Sequence, residues 1–189
     1  MSSRPNFFFA FPLEAGFVTD LPPPPASLRL FHPQDVHLTL AFLGACGLPA
    51  AERALEALDA ALAREPLAGI DISLGEVVPM GPSRAYSALS ALLERGREPT
   101  SACIAALRDD VSLAALGRRE QRAPKPHVTL ARPRSNASEA ARRAGLAWAS
   151  ALDLRAIEAR LDRIALYTWS EGNRRERLFR ILAERRLGQ

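Results

Sequence analysis

Cysteine is nearly absent from this chain of 189 residues. Cys46 and Cys103 have no second Cys or His at metal-ligand spacing. That excludes a disulfide-built scaffold and a Cys/His zinc site, and leaves both thiols as small apolar residues. Long apolar runs are also lacking: none approaches the roughly 20 residues that cross a bilayer. NFFFAFPL, near the start, is short and is not followed by an A-x-A-like cleavage signal. The expectation is a soluble, cytoplasmic protein without membrane association. Lysine is scarcer still, since Lys125 is the one Lys among 25 basic residues. Arginine alone therefore supplies the basic character, a formal net charge of +4 and a pI near 9.8. Its planar fork suits phosphate oxygens, and a basic surface attracts polyanions. Ala- and Arg-rich usage also follows from genomic base composition, so only arginines beside a motif carry functional weight.

Histidine and threonine are few as well, three and five residues, yet they coincide. HLTL occupies 37–40 and HVTL occupies 127–130. With threonine this rare, two placements of Thr two positions after His among three histidines are an accident on the order of 0.2%. His32 lacks the threonine and precedes a proline, which marks it as a turn residue.

The remaining pattern predicts an alternation of strands and helices. PNFFFAFPL, 5–13, is a buried strand, and LPPPPASL after it cannot be helical. SLRLFHPQDVHLTLAFLG is a strand, a turn at His32–Pro33 and a second strand ended by Gly44. LPAAERALEALDAALAREP is a helix between prolines, with Leu48, Leu55, Leu58 and Leu62 near helical spacing. GIDISLGEVVPMG and AYSALSAL are strands joined by a turn at 79–82. TSACIAALRDDVSLAALG is a helix with an N-cap at its first residues and a stop at Gly117. Strand HVTLAR, helix ASEAARRAGLAWASAL and strands through LDLRAIEARLDRIALYTW and ERLFRILAER complete the chain. The order is a rough duplication with no Gly/Ser linker, which predicts one α+β domain of two similar lobes over 1–189.

On a strand, alternate side chains share a face. His37 and Thr39 therefore point one way and Leu38 and Leu40 the other; His127 and Thr129 with Val128 and Leu130 repeat the arrangement. Taken singly, a strand histidine is more often a hydrogen-bonded filler than a catalyst. Were the two strands packed as pseudo-symmetry mates, two imidazoles and two hydroxyls would converge. That set suits in-line phosphoryl transfer by a paired general acid and base, with a bell-shaped pH profile whose limbs both lie near the imidazole range. A metal would need a third ligand, for which Asp35 is the nearby carboxylate, so the expectation is chemistry without metal or cofactor.

At these residues the chain resembles the 2H phosphoesterases, and within them the RNA 2′,3′-cyclic phosphodiesterases, or LigT-like 2′-5′ RNA ligases. FFFAFPL is similar to the family's opening strand, DVHLTLAFLG to its first motif, KPHVTLARP to its second, and RLDRIALYTWSEG to a strand and turn near its end. The resemblance implies a bilobal α+β fold, two antiparallel sheets related by a pseudo-twofold axis with helices on the outside. It implies hydrolysis of RNA 2′,3′-cyclic phosphate ends to 2′-phosphates and reversible, ATP-independent 2′-5′ joining, by a monomer. It makes His37 the proton donor to the leaving 3′-oxygen, His127 the base that activates water, and Thr39 and Thr129 holders of the phosphate. Arg132 falls where the family has a phosphate-contacting Arg; simple alternation puts it on the wrong face, so a strand end or bulge is required. A proline-rich stretch stands where the family has a helix, and Pro124 where it commonly has an aromatic. The alternatives are a cyclic phosphodiesterase of the same fold acting on a small nucleotide cyclic phosphate, and a non-catalytic RNA-end binding protein.

Overall fold

FFFAFP offers no polar face, and in the computed structural model, which describes residues 5–173 and 176–188, all six of its residues are buried in a strand, β1 (Phe7–Pro12). Strand β2 (Leu28–Leu30) and a 3-10 turn (Pro33–Asp35) lead into β3 (His37–Gly44). Helix α1 (Leu48–Arg64) follows, then β4 (Ile70–Met80), β5 (Ala88–Arg95), α2 (Arg97–Leu116) and β6 (His127–Pro133). Helix α3 (Glu139–Ser150) and strands β7 (Glu158–Leu161), β8 (Arg163–Trp169) and β9 (Phe179–Arg186) end the fold.

The strands run in the order β7-β4-β5-β6-β3-β1-β8-β9, with β2 also paired to β6, and every strand pairing is antiparallel. Four strands lie on each side of the β6/β3 junction. That junction is a single residue pair, Leu38 opposite Val128, so the ladder is two antiparallel sheets meeting at one point. The α+β architecture expected from the sequence is thus present. Each helix buries one apolar stripe and leaves the other face to solvent; in α1 the buried residues are Ala50, Ala51, Ala54, Leu58 and Ala61.

Leu38, Val128 and Leu130 are fully buried and Leu40 nearly so. Burying such a side chain contributes about 1.5 to 3 kcal/mol, and a one-residue slip of either strand would exchange these leucines and valine for histidine and threonine in the core. The register that aims the polar face is therefore fixed by the apolar one.

The proline-rich segment forms no helix. Trp148 donates from Nε1 to the carbonyl of Pro22 (3.0 Å), and Arg134 donates from Nε to the carbonyl of Ala26 (2.9 Å), strapping the segment against α3 and the end of β6. Strand β5 runs from Ala88 to Arg95, three residues later than AYSALSAL suggests, and one helix starts three residues early. Helix α2 starts at Arg97, not at the predicted cap near Thr100, because Gly96 turns the chain at φ 78° and Pro99 sits in the first turn, where its missing N–H costs nothing. Thr100 lies a turn inside and donates its hydroxyl to the Gly96 carbonyl (2.7 Å). Gly117 ends the helix at φ 67° as the sequence suggests. His32 caps the 3-10 turn, its Nδ1 accepting from Gln34 N at 3.2 Å.

Candidate active site

The pair Leu38–Val128 sets the register of the two tetrads. In an antiparallel pair this puts His37 abreast of Thr129 and Thr39 abreast of His127, all four on the face opposite the buried Leu38 and Val128. Because the two sheets share only that pair, they part on either side of it. A cavity of about 970 Å³ opens there, lined by Thr39, Phe42 and His127 on one wall and by Arg108 and the loop from Arg118 to Lys125 on the other. His37, Thr129 and Arg132 lie outside that lining, beside it through the strand register.

Both imidazoles are oriented in the same way. His37 Nδ1 lies 2.6 Å from the carbonyl of Asp35, and His127 Nδ1 lies 2.6 Å from the carbonyl of Lys125. A carbonyl only accepts, so Nδ1 carries the hydrogen and donates it, and Nε2 is left as the nitrogen that gains or loses a proton. The two supports differ. Asp35 is 1% exposed, and its carboxylate accepts from Leu178 N (2.8 Å), Phe179 N (3.2 Å) and Arg177 Nε (3.2 Å). The strand end that orients His37 is thereby pinned to the segment before β9. Asp35 was the sequence's candidate third metal ligand; here its oxygens are occupied by these donors, and among the described residues no group of three His, Cys, Asp or Glu comes together. Lys125, in contrast, lies on an exposed loop.

His37 is also the more deeply set imidazole. It packs against Phe8, Tyr167 and Phe179, with ring centroids 4.9, 5.4 and 5.5 Å away. Burial pulls its pKa down to about 4, with the nearby charges of Arg132 and His127 acting in the same direction and the Asp35 carbonyl and carboxylate opposing. At pH 7 burial therefore favours the neutral imidazole at His37.

Thr129 Oγ1 lies 3.0 Å from Ser90 Oγ, a fully buried hydroxyl on β5. At the pseudo-equivalent position on β1 the partner of Thr39 is Ala10, which has no hydroxyl to offer. Both tetrad strands then bulge at the same place. Between Ser90–Thr129 and Leu89–Ala131 the strand β6 carries one extra residue, Leu130; between Ala10–Thr39 and Phe9–Ala41 the strand β3 carries Leu40. Each bulge inverts the alternation that follows. Consecutive residues Leu130 and Ala131 are both buried and Arg132 emerges on the tetrad's face, which is the condition that a phosphate contact by Arg132 requires. Its guanidinium lies over the Phe31 ring at 5.4 Å, and burial lowers its pKa.

By the same inversion Phe42 leaves the core and stands 62% exposed in the cavity. Sequence reasoning missed it, because uninterrupted alternation assigns Phe42 to the buried face with Leu38 and Leu40. The available signal was the longer repeat, HLTLAF against HVTLAR, in which Phe42 aligns with Arg132. Ser90 had no signal at all, since its role comes from β5 lying beside β6.

A family model described as the 2′-5′ RNA ligase superfamily matches residues 24–173. Among solved structures the chain is similar to Escherichia coli LigT complexed with 3′-AMP, with 21% identity, 97% of this chain and 98% of that chain covered and a TM-score of 0.69. The E. coli LigT structure complexed with NADP+ gives 21% identity over the whole of both chains and a TM-score of 0.65. The protein TT0787 of Thermus thermophilus gives 22% identity, 96% and 97% coverage and a TM-score of 0.67. No curated protein matches the sequence.

Proposed function

Because the chain belongs to the 2′-5′ RNA ligase superfamily, we propose that it is a cyclic phosphodiesterase that opens RNA 2′,3′-cyclic phosphate ends to 2′-phosphates, acting as a monomer and as one two-lobed domain. The observation that carries this reading is the matched pair of imidazoles, each held by a 2.6 Å bond from Nδ1 to the carbonyl two residues before it and each leaving Nε2 for proton transfer.

The cyclic phosphate sits between the tetrads. Thr39 and Thr129 donate to its non-bridging oxygens, Ser90 donating in turn to Thr129 Oγ1 from behind, and Arg132 supplies the positive charge. Water attacks phosphorus from the His127 side, and His127 Nε2 takes its proton. The P–O3′ bond breaks on the opposite side, and the proton on His37 Nε2 goes to the departing 3′-oxygen, as in-line geometry requires. Burial favours the neutral form of His37. An anionic phosphate beside it favours the imidazolium, so binding of the substrate and charging of the acid are one event. Phe42, the exposed ring on the cavity wall, is the platform for the terminal base. When a 5′-hydroxyl of a second strand replaces water, the same displacement forms P–O5′ as P–O3′ breaks and joins the ends through a 2′-5′ linkage without ATP. That relatives of this fold are described in complex with 3′-AMP, ATP and NADP+ supports a nucleotide in this cleft.

The test is product analysis. Incubation with 2′,3′-cyclic nucleotides and with a cyclic-phosphate-ended oligonucleotide, followed by phosphorus NMR, yields the 2′-phosphate if the substrate lies as described. A predominant 3′-phosphate or an equal mixture rejects that orientation, and absence of turnover rejects the enzyme.

A further inference from the structure

The cavity wall facing the tetrads carries more charge than the proposed chemistry uses. Arg108, Arg118, Arg119, Arg122 and Lys125 line it, opposed by Glu120 alone among acidic residues. Five cations less one carboxylate leave +4, as much as the formal net charge of the entire chain. The basic excess of this protein is concentrated on one wall of one cavity.

The use of these groups is uneven. Glu120 is spent on Arg122, accepting from its Nε (3.0 Å), its terminal nitrogen (2.7 Å) and its backbone N–H (3.1 Å). Arg108 donates one terminal nitrogen to the carbonyl of Arg122 (2.7 Å). That bond fixes the guanidinium against the loop, and its other terminal nitrogen makes no hydrogen bond among the described residues. Arg118, Arg119 and Lys125 make no ion pair among the described residues. A preformed guanidinium beside unpaired cations asks for an anion with several oxygens.

We propose that Arg108, with Arg118, Arg119 and Lys125, forms a second-phosphate subsite that holds the phosphodiester on the 5′ side of the cyclic end, so that the enzyme reads a polynucleotide strand and not a mononucleotide. The inference rests on the proposed cyclic phosphodiesterase reading, in which the tetrads and Arg132 take the first phosphate; Thr39 and His127 line the same cavity as Arg108. The contact is with charge and shape, so it selects chain over monomer without selecting sequence.

The experiment compares three molecules: a 2′,3′-cyclic mononucleotide, the corresponding dinucleotide with a cyclic end, and that dinucleotide with a neutral methylphosphonate in place of its linkage. At low salt the dinucleotide should exceed the mononucleotide in kcat/KM by at least about tenfold, and the methylphosphonate should return to the mononucleotide's value. The salt slope should be steeper for the dinucleotide by about 0.7, the single-strand value for one phosphate. R108Q and the double variant R118A/R119A should each compress the dinucleotide-to-mononucleotide ratio. The proposal is overturned by a wild-type ratio near one, by a methylphosphonate that keeps the advantage, or by variants that lower both rates in proportion. Dissociation constants for the same molecules measured by calorimetry on H127A read the subsite separately from turnover. Equal binding of dinucleotide and mononucleotide there overturns it, whereas hydrolysis of neither by the wild type overturns only the proposed reaction.

Discussion

Phe42 stands on β3 where Arg132 stands on β6: each comes three residues after the tetrad threonine and just beyond a bulge, Leu40 in one strand and Leu130 in the other. Pseudo-symmetry supplies two equivalent positions, and the sequence gives one to a ring and the other to a cation. The cleft is therefore polarised, with an exposed ring on one side and a guanidinium on the other. F42A should raise KM by the loss of one stacking contact, about 1 to 3 kcal/mol, with little change in kcat. R132K should lower kcat/KM nearly as far as R132A, because a lysine lacks the planar fork. Steady-state kinetics on one cyclic nucleotide separates the two; an F42A enzyme with unaltered KM removes the ring from the substrate's path.

Replacing either imidazole should be severe and non-additive. H37A and H127A should each reduce turnover by roughly 10²- to 10⁴-fold, and the double variant should be little worse than either, since both protons move in one displacement. T39A and T129A should cost about 1.5 to 3 kcal/mol each through one hydrogen bond to a charged group. A single histidine variant of near-normal activity would sink the acid–base pair.

The pH response should carry the mark of burial. His37 titrates near 4 in the folded chain against about 6.5 unfolded. The unfolded chain thus binds the extra proton between those values, and stability falls as pH drops from 6.5 towards 4. Between pH 7 and pH 5 the loss attributable to His37 is about 2 kcal/mol, visible as a difference between wild type and H37Q in urea unfolding. By NMR the His37 ring should titrate well below the ordinary imidazole range, and a bound nucleotide phosphate should move it upward. Because His37 is the proton donor, its lowered pKa should draw the alkaline limb of kcat/KM below the imidazole range, and the alkaline limb of kcat, which reports the complex, should lie higher.

Asp35 should matter to activity without touching substrate. D35A leaves Leu178 N and Phe179 N without their acceptor and removes the partner of Arg177, a loss of about 3 kcal/mol or more of stability. The carbonyl of the same residue orients His37, so turnover should fall in the fraction that remains folded. Thermal unfolding together with kinetics below the new midpoint checks both; full turnover with lowered stability would confine Asp35 to the fold.

Excess chelator should leave the rate unchanged, because the proposed proton transfers need imidazoles only. Restoration of a lost rate by a divalent cation would reject the scheme.

Much of this protein is written locally. Alternation on HLTL and HVTL put the histidines and threonines on one face and their neighbours in the core, because a strand has a period of two and a buried leucine enforces it. Helical spacing, prolines and Gly117 marked the helices through the same short-range physics. What lay beyond the sequence is what depends on the neighbouring strand. A bulge is a mismatch between two strands and has no signature in either alone, so the outward turn of Arg132 was a stated requirement and that of Phe42 went unseen. The hydrogen bond between Ser90 and Thr129 joins positions 39 residues apart, and the low pKa of His37 comes from rings at 8, 167 and 179 that only the closed sheet gathers. Residue identity decided which chemistry was available, because imidazole and hydroxyl spacing is local. Tertiary structure decided how the two halves differ, because burial and charge at a point are sums over everything packed around it.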